Sequence, residues 1–205
     1  MGMMSEAISA SAAKAKASRQ SFYPAATIRC DGPRLFRSQT ARDVACLLDV
    51  DPAVHSWVCT PEAFDVDGHR HIPDFALVDT HGGRSFLDAP DRGDVKADDV
   101  SRAVLAKTGR PYSVMSDAEL RSGYRLRNAK DLLRYGNYTV TLGDRIRLLA
   151  ALEELGSMTV SECLQAFQEI RPMAGLSSLI LNGFIEIDLD AGLIGPSTQV
   201  RSIGG

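Results

Sequence analysis

No stretch of this 205-residue chain approaches the roughly 18 to 20 uninterrupted apolar residues that a membrane-spanning helix needs, and the N-terminus has no apolar run typical of a secretory signal. The expectation is a cytoplasmic protein with no membrane partner. Cysteine is scarce as well. Cys30, Cys46, Cys59 and Cys163 are widely and irregularly spaced, which fits neither a CxxC metal site nor a dense disulfide framework and leaves reduced, mostly buried thiols. Neither sign of charge is in large excess: a formal net charge of -3 gives no global attraction to nucleic acid, so any such binding must come from a local patch. Large apolar side chains are almost missing from residues 1 to 21, where Ala, Ser and Lys dominate, and this segment reads as a disordered arm. No internal repeat is present.

What remains is an ordinary globular composition, 44% hydrophobic and 24% charged, enough to bury one core or two small ones. Ser38 is a good N-cap for a helix whose apolar positions Ala41, Val44, Ala45, Leu47 and Leu48 recur at helical spacing, ending before Pro52. The period then shortens. Residues 55–59 and 63–66 read as strands, Asp67-Gly68 as a turn, residues 71–78 as a further strand with Pro73 near its start, and residues 85–89 as another. After Asp94, the apolar positions Val95, Val100, Val104 and Leu105 predict a helix ended by Gly109 and Pro111, followed by a short strand at 112–115. The order is that of an α/β module, which sets a domain over residues 22 to 120.

Residues 121 to 136 form a basic linker helix in this reading. Between 121 and 147, Arg121, Arg125, Arg127, Lys130, Arg134, Arg145 and Arg147 face only Asp131 and Asp144, which makes these seven the candidate DNA-binding residues. From 137 to 205, helices capped at Thr141 and Thr159 and a third starting at Pro172 precede a hairpin of residues 184–189 and 193–194. Three helices and a hairpin give a winged-helix order. The third helix, Met173 to Leu181, carries no Arg, Lys or Asn to read bases, so this half is expected to dock to protein.

The segment that bears chemistry is Ile72-Pro73-Asp74-Phe75, with Asp88 on the next strand. Carboxylates from adjacent strands can hold a hard Mg²⁺ or Mn²⁺ ion, which activates a water and steadies charge on a phosphate. Ser38 through Pro90, about a quarter of the chain, resembles the N-terminal domain of TnsA-type transposon endonucleases. In that family a Ser-x-x-Glu helix runs into Asp-Pro-x-Val, then Gln-Pro, a hairpin, a Pro-Asp-Phe strand and a Glu-or-Gln-x-Lys strand. Here the matching parts are Ser38, Asp51-Pro52-Ala53-Val54, Thr60-Pro61, Pro73-Asp74-Phe75 and Phe86-Leu87-Asp88.

The resemblance implies a restriction-endonuclease-like mixed sheet flanked by helices, followed by a small winged-helix-like domain. It implies Asp74 and Asp88 as catalytic and metal-holding residues, DNA as a partner, and protein partners such as a DDE-type transposase or an AAA+ regulator. Two members of the pattern are replaced: Ala41 stands where the helix glutamate belongs and Pro90 where the lysine belongs. Neither can do the work, since alanine cannot ligate a cation and proline has neither charge nor N–H. The expectation is a vestigial centre, with no cofactor and no cutting. Two alternatives stand beside it: an active Mg²⁺- or Mn²⁺-dependent endonuclease rearranged around Asp43 or Lys96, and a winged-helix transcriptional or scaffold protein. His55, His69, His71 and His81 lack ligand spacing and are expected at the surface or in packing.

Overall fold

The structure is a computed structural model and describes residues 11, 12, 14–93 and 96–203. It is a mixed α/β fold that divides into two compact units, one from the described residues up to Tyr23 together with Arg29–Leu120, the other from Pro24–Ile28 together with the described residues from Arg121 onward. None of its helices is long and apolar enough to cross a membrane among those residues.

In the first unit, helix α1 (Gln39–Val50) starts where Ser38 Oγ accepts the Ala41 N–H at 3.1 Å. It ends at Asp51, whose backbone is extended because the Pro52 ring crowds a helical predecessor. Ala41, Val44, Ala45 and Leu48 form its buried face. Strands β1 (Val54–Cys59), β4 (Phe75–Asp79), β5 (Arg84–Asp88) and β6 (Tyr112–Val114) make one sheet in the order β1-β4-β5-β6. The first three run antiparallel, whereas β6 is parallel to β5. A parallel neighbour requires a crossover, and helix α2 (Ala97–Thr108) supplies it. A separate hairpin joins β2 (Phe64–Val66) to β3 (His69–His71). Asp67 and Gly68 both have positive φ there, 51° and 80°, the backbone of a two-residue hairpin turn. Phe64, Val66, Phe86, Val100, Val104 and Tyr112 form a core between hairpin, sheet and α2. A short helix α3 (Asp117–Leu120) closes the unit.

Three expectations change here. The strand expected over 71–78 is two strands, because Pro73 offers no N–H to a ladder and the chain breaks around it. The helix expected after Asp94 is described from Ala97, and Asp94 and Val95 lie outside the described residues. The arm expected over 1 to 21 falls largely outside them too, but residues 14–17 are helical and Ala17 is buried, so this end of it joins the first unit.

The second unit begins with α4 (Arg125–Leu133), continues with α5 (Leu142–Leu155), β7 (Ser157–Thr159), α6 (Val160–Cys163), a 3₁₀ turn over Leu164–Ala166 and α7 (Pro172–Leu181), and ends with β8 (Ile185–Ile187) and β9 (Gln199–Ser202). Thr159 and Glu162 form a reciprocal capping box at α6, and Pro172 starts α7 at a position where a missing N–H costs nothing. The sheet order is β7-β9-β8, all antiparallel. Leu148, Leu152, Val160, Phe167, Leu176, Leu179, Ile185 and Val200 lie in its core.

The expected hairpin partner at 193–194 is replaced by β9 at Gln199–Ser202, and the expected linker helix is no linker. Asn128 of α4 is buried and its amide donates to the carbonyls of Leu189 and Gly192 at 2.9 and 2.7 Å and accepts the Ile194 N–H at 3.0 Å. Those bonds fix the 189–194 loop onto α4, which removes it from strand pairing and makes α4 an integral wall of the unit.

Candidate functional site

Strands β4 and β5 pair with Phe75 opposite Leu87 and Ala76 opposite Phe86. One step further, the same register sets Asp74 across from Asp88. Residues directly opposed in an antiparallel pair face the same side of the sheet, so the two carboxyl groups share one face. The backbone ties them together: Asp88 Oδ1 accepts the Asp74 N–H at 2.6 Å, and Asp74 Oδ2 accepts the Ala89 N–H at 3.0 Å. Both side chains are buried, 3% and 0% exposed.

Two arginines close on this pair. Arg37, just ahead of α1, forks onto Asp74 with Nε at 3.1 Å from Oδ1 and Nη2 at 3.0 Å from Oδ2, and the same Nη2 reaches Asp91 at 2.7 Å. Arg92, just past β5, bridges both acids, with Nη1 3.7 Å from Asp74 and Nε 3.6 Å from Asp88, while its Nη2 donates to the Ile72 carbonyl. Asp88 Oδ2 also meets His71 Nε2 at 2.6 Å and accepts the Tyr112 hydroxyl at 2.7 Å.

The charges follow from these contacts. Burial works to raise the Asp88 pKa, but the His71 hydrogen bond, the Arg92 charge and the Tyr112 hydroxyl outweigh it and hold the group below its ordinary range. With that carboxylate ionised, the hydrogen of the 2.6 Å contact belongs to His71 Nε2. Burial and the neighbouring Asp88 push the Tyr112 phenol far above its ordinary range, so it remains a donor. Burial also opposes the Arg37 charge, yet hydrogen bonds to Asp74 and Asp91 raise its pKa instead. Every carboxylate oxygen of Asp74 and Asp88 thus accepts from a cation, a hydroxyl, a histidine or a backbone N–H.

The pair lies beside a cavity of about 280 Å³ whose lining includes Lys16, Arg37, Arg70, Arg92, Thr60 and Asp74. Thr60 is held by its backbone, its N–H donating to the Asp74 carbonyl at 2.9 Å. Its φ of 43° is a left-handed conformation that a β-branched residue rarely adopts. Its hydroxyl is buried and has no hydrogen-bond partner among the described residues.

The sequence-derived candidates fare unevenly. Asp74 and Asp88 are brought together. Ala41 is buried in the first turn of α1, and Pro90 follows Asp88 and Ala89 in the half-buried segment leading to Arg92. Asp43 accepts from Gln39 Nε2 at 2.6 Å, and Lys96 is exposed at the start of α2.

In the basic patch, Arg125 is committed to Asp190 at 2.5 Å, and Arg147 bonds Asp144, Glu169 and the Ala166 carbonyl. Arg145 lies over the Phe184 ring at 4.8 Å and Arg134 sits 3.7 Å from Asp131, while Arg121 and Arg127 are exposed and Lys130 is half-buried. Arg125 and Arg147 therefore hold the second unit together. Of the surface and packing positions expected for the histidines, His71 takes a packed one, buried as a partner of Asp88. Arg37, Arg92, Tyr112 and Arg70 were not found from sequence, and Thr60 was read only as part of the Thr60-Pro61 match; the one local signal was Arg92 four residues after Asp88.

Whether this centre suits Mg²⁺ or Mn²⁺ depends on oxygens that can face a cation. Hard divalent ions need several oxygen ligands, and here the oxygens of both acids are already taken by Arg37, Arg92, His71, Tyr112 and backbone N–H groups. Among the described residues, no group of three or more His, Cys, Asp or Glu side chains is arranged to hold a metal ion. The residues present do not fit the metal that the resemblance implies. No protein-family model matches the chain, and no curated protein sequence matches it.

Proposed function

We propose that the chain is a TnsA-like, non-cutting nuclease-fold protein that serves as a DNA- or partner-binding component of a transposition or other mobile-element complex. One observation carries this reading. Two carboxylates sit side by side at the ends of adjacent strands, in the register a metal-dependent nuclease uses, and arginines neutralise them. The first unit's order of helix, three antiparallel strands, crossover helix and parallel strand supports a restriction-endonuclease-like fold. The lysine and helix glutamate that such chemistry needs are Pro90 and Ala41. Loss of each electrostatic contact at a transition state costs about 10²- to 10³-fold, so cutting is not expected.

In the second unit, the order from α5 onward, helix, strand, helix, helix, strand, strand, with sheet order β7-β9-β8 supports the winged-helix reading. The last helix of the unit, α7, buries Ala174, Gly175, Leu176, Leu179 and Leu181 and presents no basic side chain. A helix so committed to the core does not read bases, which favours a protein partner for this unit.

Incubating the purified protein with supercoiled plasmid and Mg²⁺ or Mn²⁺ tests the reading. No nicking above background is expected. Nicking that Asp74→Ala abolishes would refute it and favour the rearranged endonuclease.

A further inference from the structure

The cavity beside Asp74 collects four cations from four separate segments. Lys16 comes from the N-terminal helical stretch, Arg37 from the lead-in to α1, Arg70 from β3 and Arg92 from the segment after β5. Among the described residues that line it, the cavity has these four cations and one carboxylate, Asp74, with Asp88 and Asp91 next to the arginines. Like charges converging on a partly enclosed space repel unless an anion joins them. Arg37 and Arg92 are fixed by their acid partners, so their forks are already oriented, and planar guanidinium groups match the oxygens of a phosphate.

Thr60 supplies an independent sign. Its hydroxyl is a buried donor with no partner among the described residues, on a backbone held in an unfavourable conformation, and both features concentrate where a ligand completes the site. The orphan hydroxyl lies on the lining of the same cavity as the four cations. At about 280 Å³ the space is at the small end of ligand pockets, which run from roughly 300 to 1,000 Å³, so it suits one phosphate and the groups next to it.

We propose that this cavity binds a phosphate group without a metal ion, through Arg70, Lys16, Arg92 and Arg37 with a hydrogen bond from the Thr60 hydroxyl. The proposal rests on the non-cutting reading of the same centre: guanidinium groups have replaced a divalent ion as the phosphate-holding element. The phosphate belongs either to a nucleic-acid strand or to a free phosphate compound, and one experiment separates the two.

The full chain, in EDTA, is titrated with inorganic phosphate by calorimetry and with a fluorescent oligonucleotide duplex by anisotropy at several salt concentrations. Binding of at least one probe is expected in EDTA. Arg70→Gln, at an exposed hairpin position, and Thr60→Val should each weaken it about tenfold, and Arg70→Gln should reduce the salt slope for the duplex by about 1. Phosphate binding alone identifies a free compound, and duplex binding that excess phosphate displaces identifies a strand whose phosphate occupies the cavity; duplex binding that phosphate leaves untouched overturns the proposal for a strand. No binding of either probe in EDTA, or binding that Arg70→Gln leaves unchanged in a protein of unaltered circular dichroism, overturns the proposal. Binding restored only by Mn²⁺ also overturns it, and the plasmid assay reports separately on the non-cutting reading.

Discussion

Asp144 in the second unit and the Asp74–Asp88 pair in the first are all buried, and all accept hydrogen bonds from backbone N–H groups and lie within ion-pair distance of an arginine. Their surroundings differ. Asp144 accepts from the N–H groups of Gln168, Glu169 and Ile170 at 2.8 to 3.3 Å and from Arg147, which itself bonds Glu169 and the Ala166 carbonyl. Donors and acceptors there come from one helix and the turn packed on it, and the network closes on itself. The Asp74–Asp88 pair instead borders a cavity lined, among the described residues, by four cations and a Thr60 hydroxyl with no partner. A buried carboxylate alone therefore says little about function. The gathered cations and the orphan donor around it are what distinguish a binding site from a fold-stabilising clasp.

The sharpest way to break the comparison is to delete each acid. Asp88→Ala leaves His71, Tyr112 and Arg92 without their shared acceptor, and removal of one partner from a buried ionic network costs roughly 3 to 5 kcal/mol. Asp144→Ala leaves three backbone donors of a half-exposed turn unpaired, for which about 2 to 3 kcal/mol is expected. Thermal denaturation followed by circular dichroism checks both; a loss under about 0.5 kcal/mol for either would mean that the contacts do not hold the fold.

Acid should act on both units. Burial opposes the Asp88 and Asp144 charges, but their hydrogen-bond partners lower both pKa values below the ordinary 3.8. Groups depressed in this way stabilise the fold fully above the ordinary value, and that stability disappears as pH falls through the folded values. Chemical denaturation between pH 7 and pH 2 should therefore show a steep decline confined to the acid side of about pH 4. Asp88→Asn should flatten its share of that decline.

The smallest effect is the most discriminating. Replacing Thr60 by glycine removes both a left-handed β-branched residue and an unpaired hydroxyl, so the change is expected to be neutral or stabilising by about 1 kcal/mol while phosphate binding weakens. A structural role for Thr60 would give the opposite sign, a clear loss of stability.

Much of this was legible in the chain because the signals are local. The Ser38 cap, the stop at Asp51-Pro52, the Asp67-Gly68 turn and the strand order that aligns Asp74 with Asp88 each depend on a few adjacent residues. Arg37 was not legible as a partner of Asp74, since 37 residues separate them and only the sheet and the α1 lead-in bring them together. Strand β9 was missed because Gln199-Val200-Arg201-Ser202 buries only Val200, too weak an alternation to stand out beside the more apolar Leu193-Ile194. The strain at Thr60 was invisible for the opposite reason: its conformation runs against what its residue type prefers.

The central claim is that guanidinium groups, and no divalent ion, satisfy the Asp74–Asp88 pair. Calorimetric titration of the full-length protein with Mn²⁺ tests it most directly. The account predicts no saturable heat tighter than about millimolar. Micromolar binding that disappears in Asp74→Asn would contradict it.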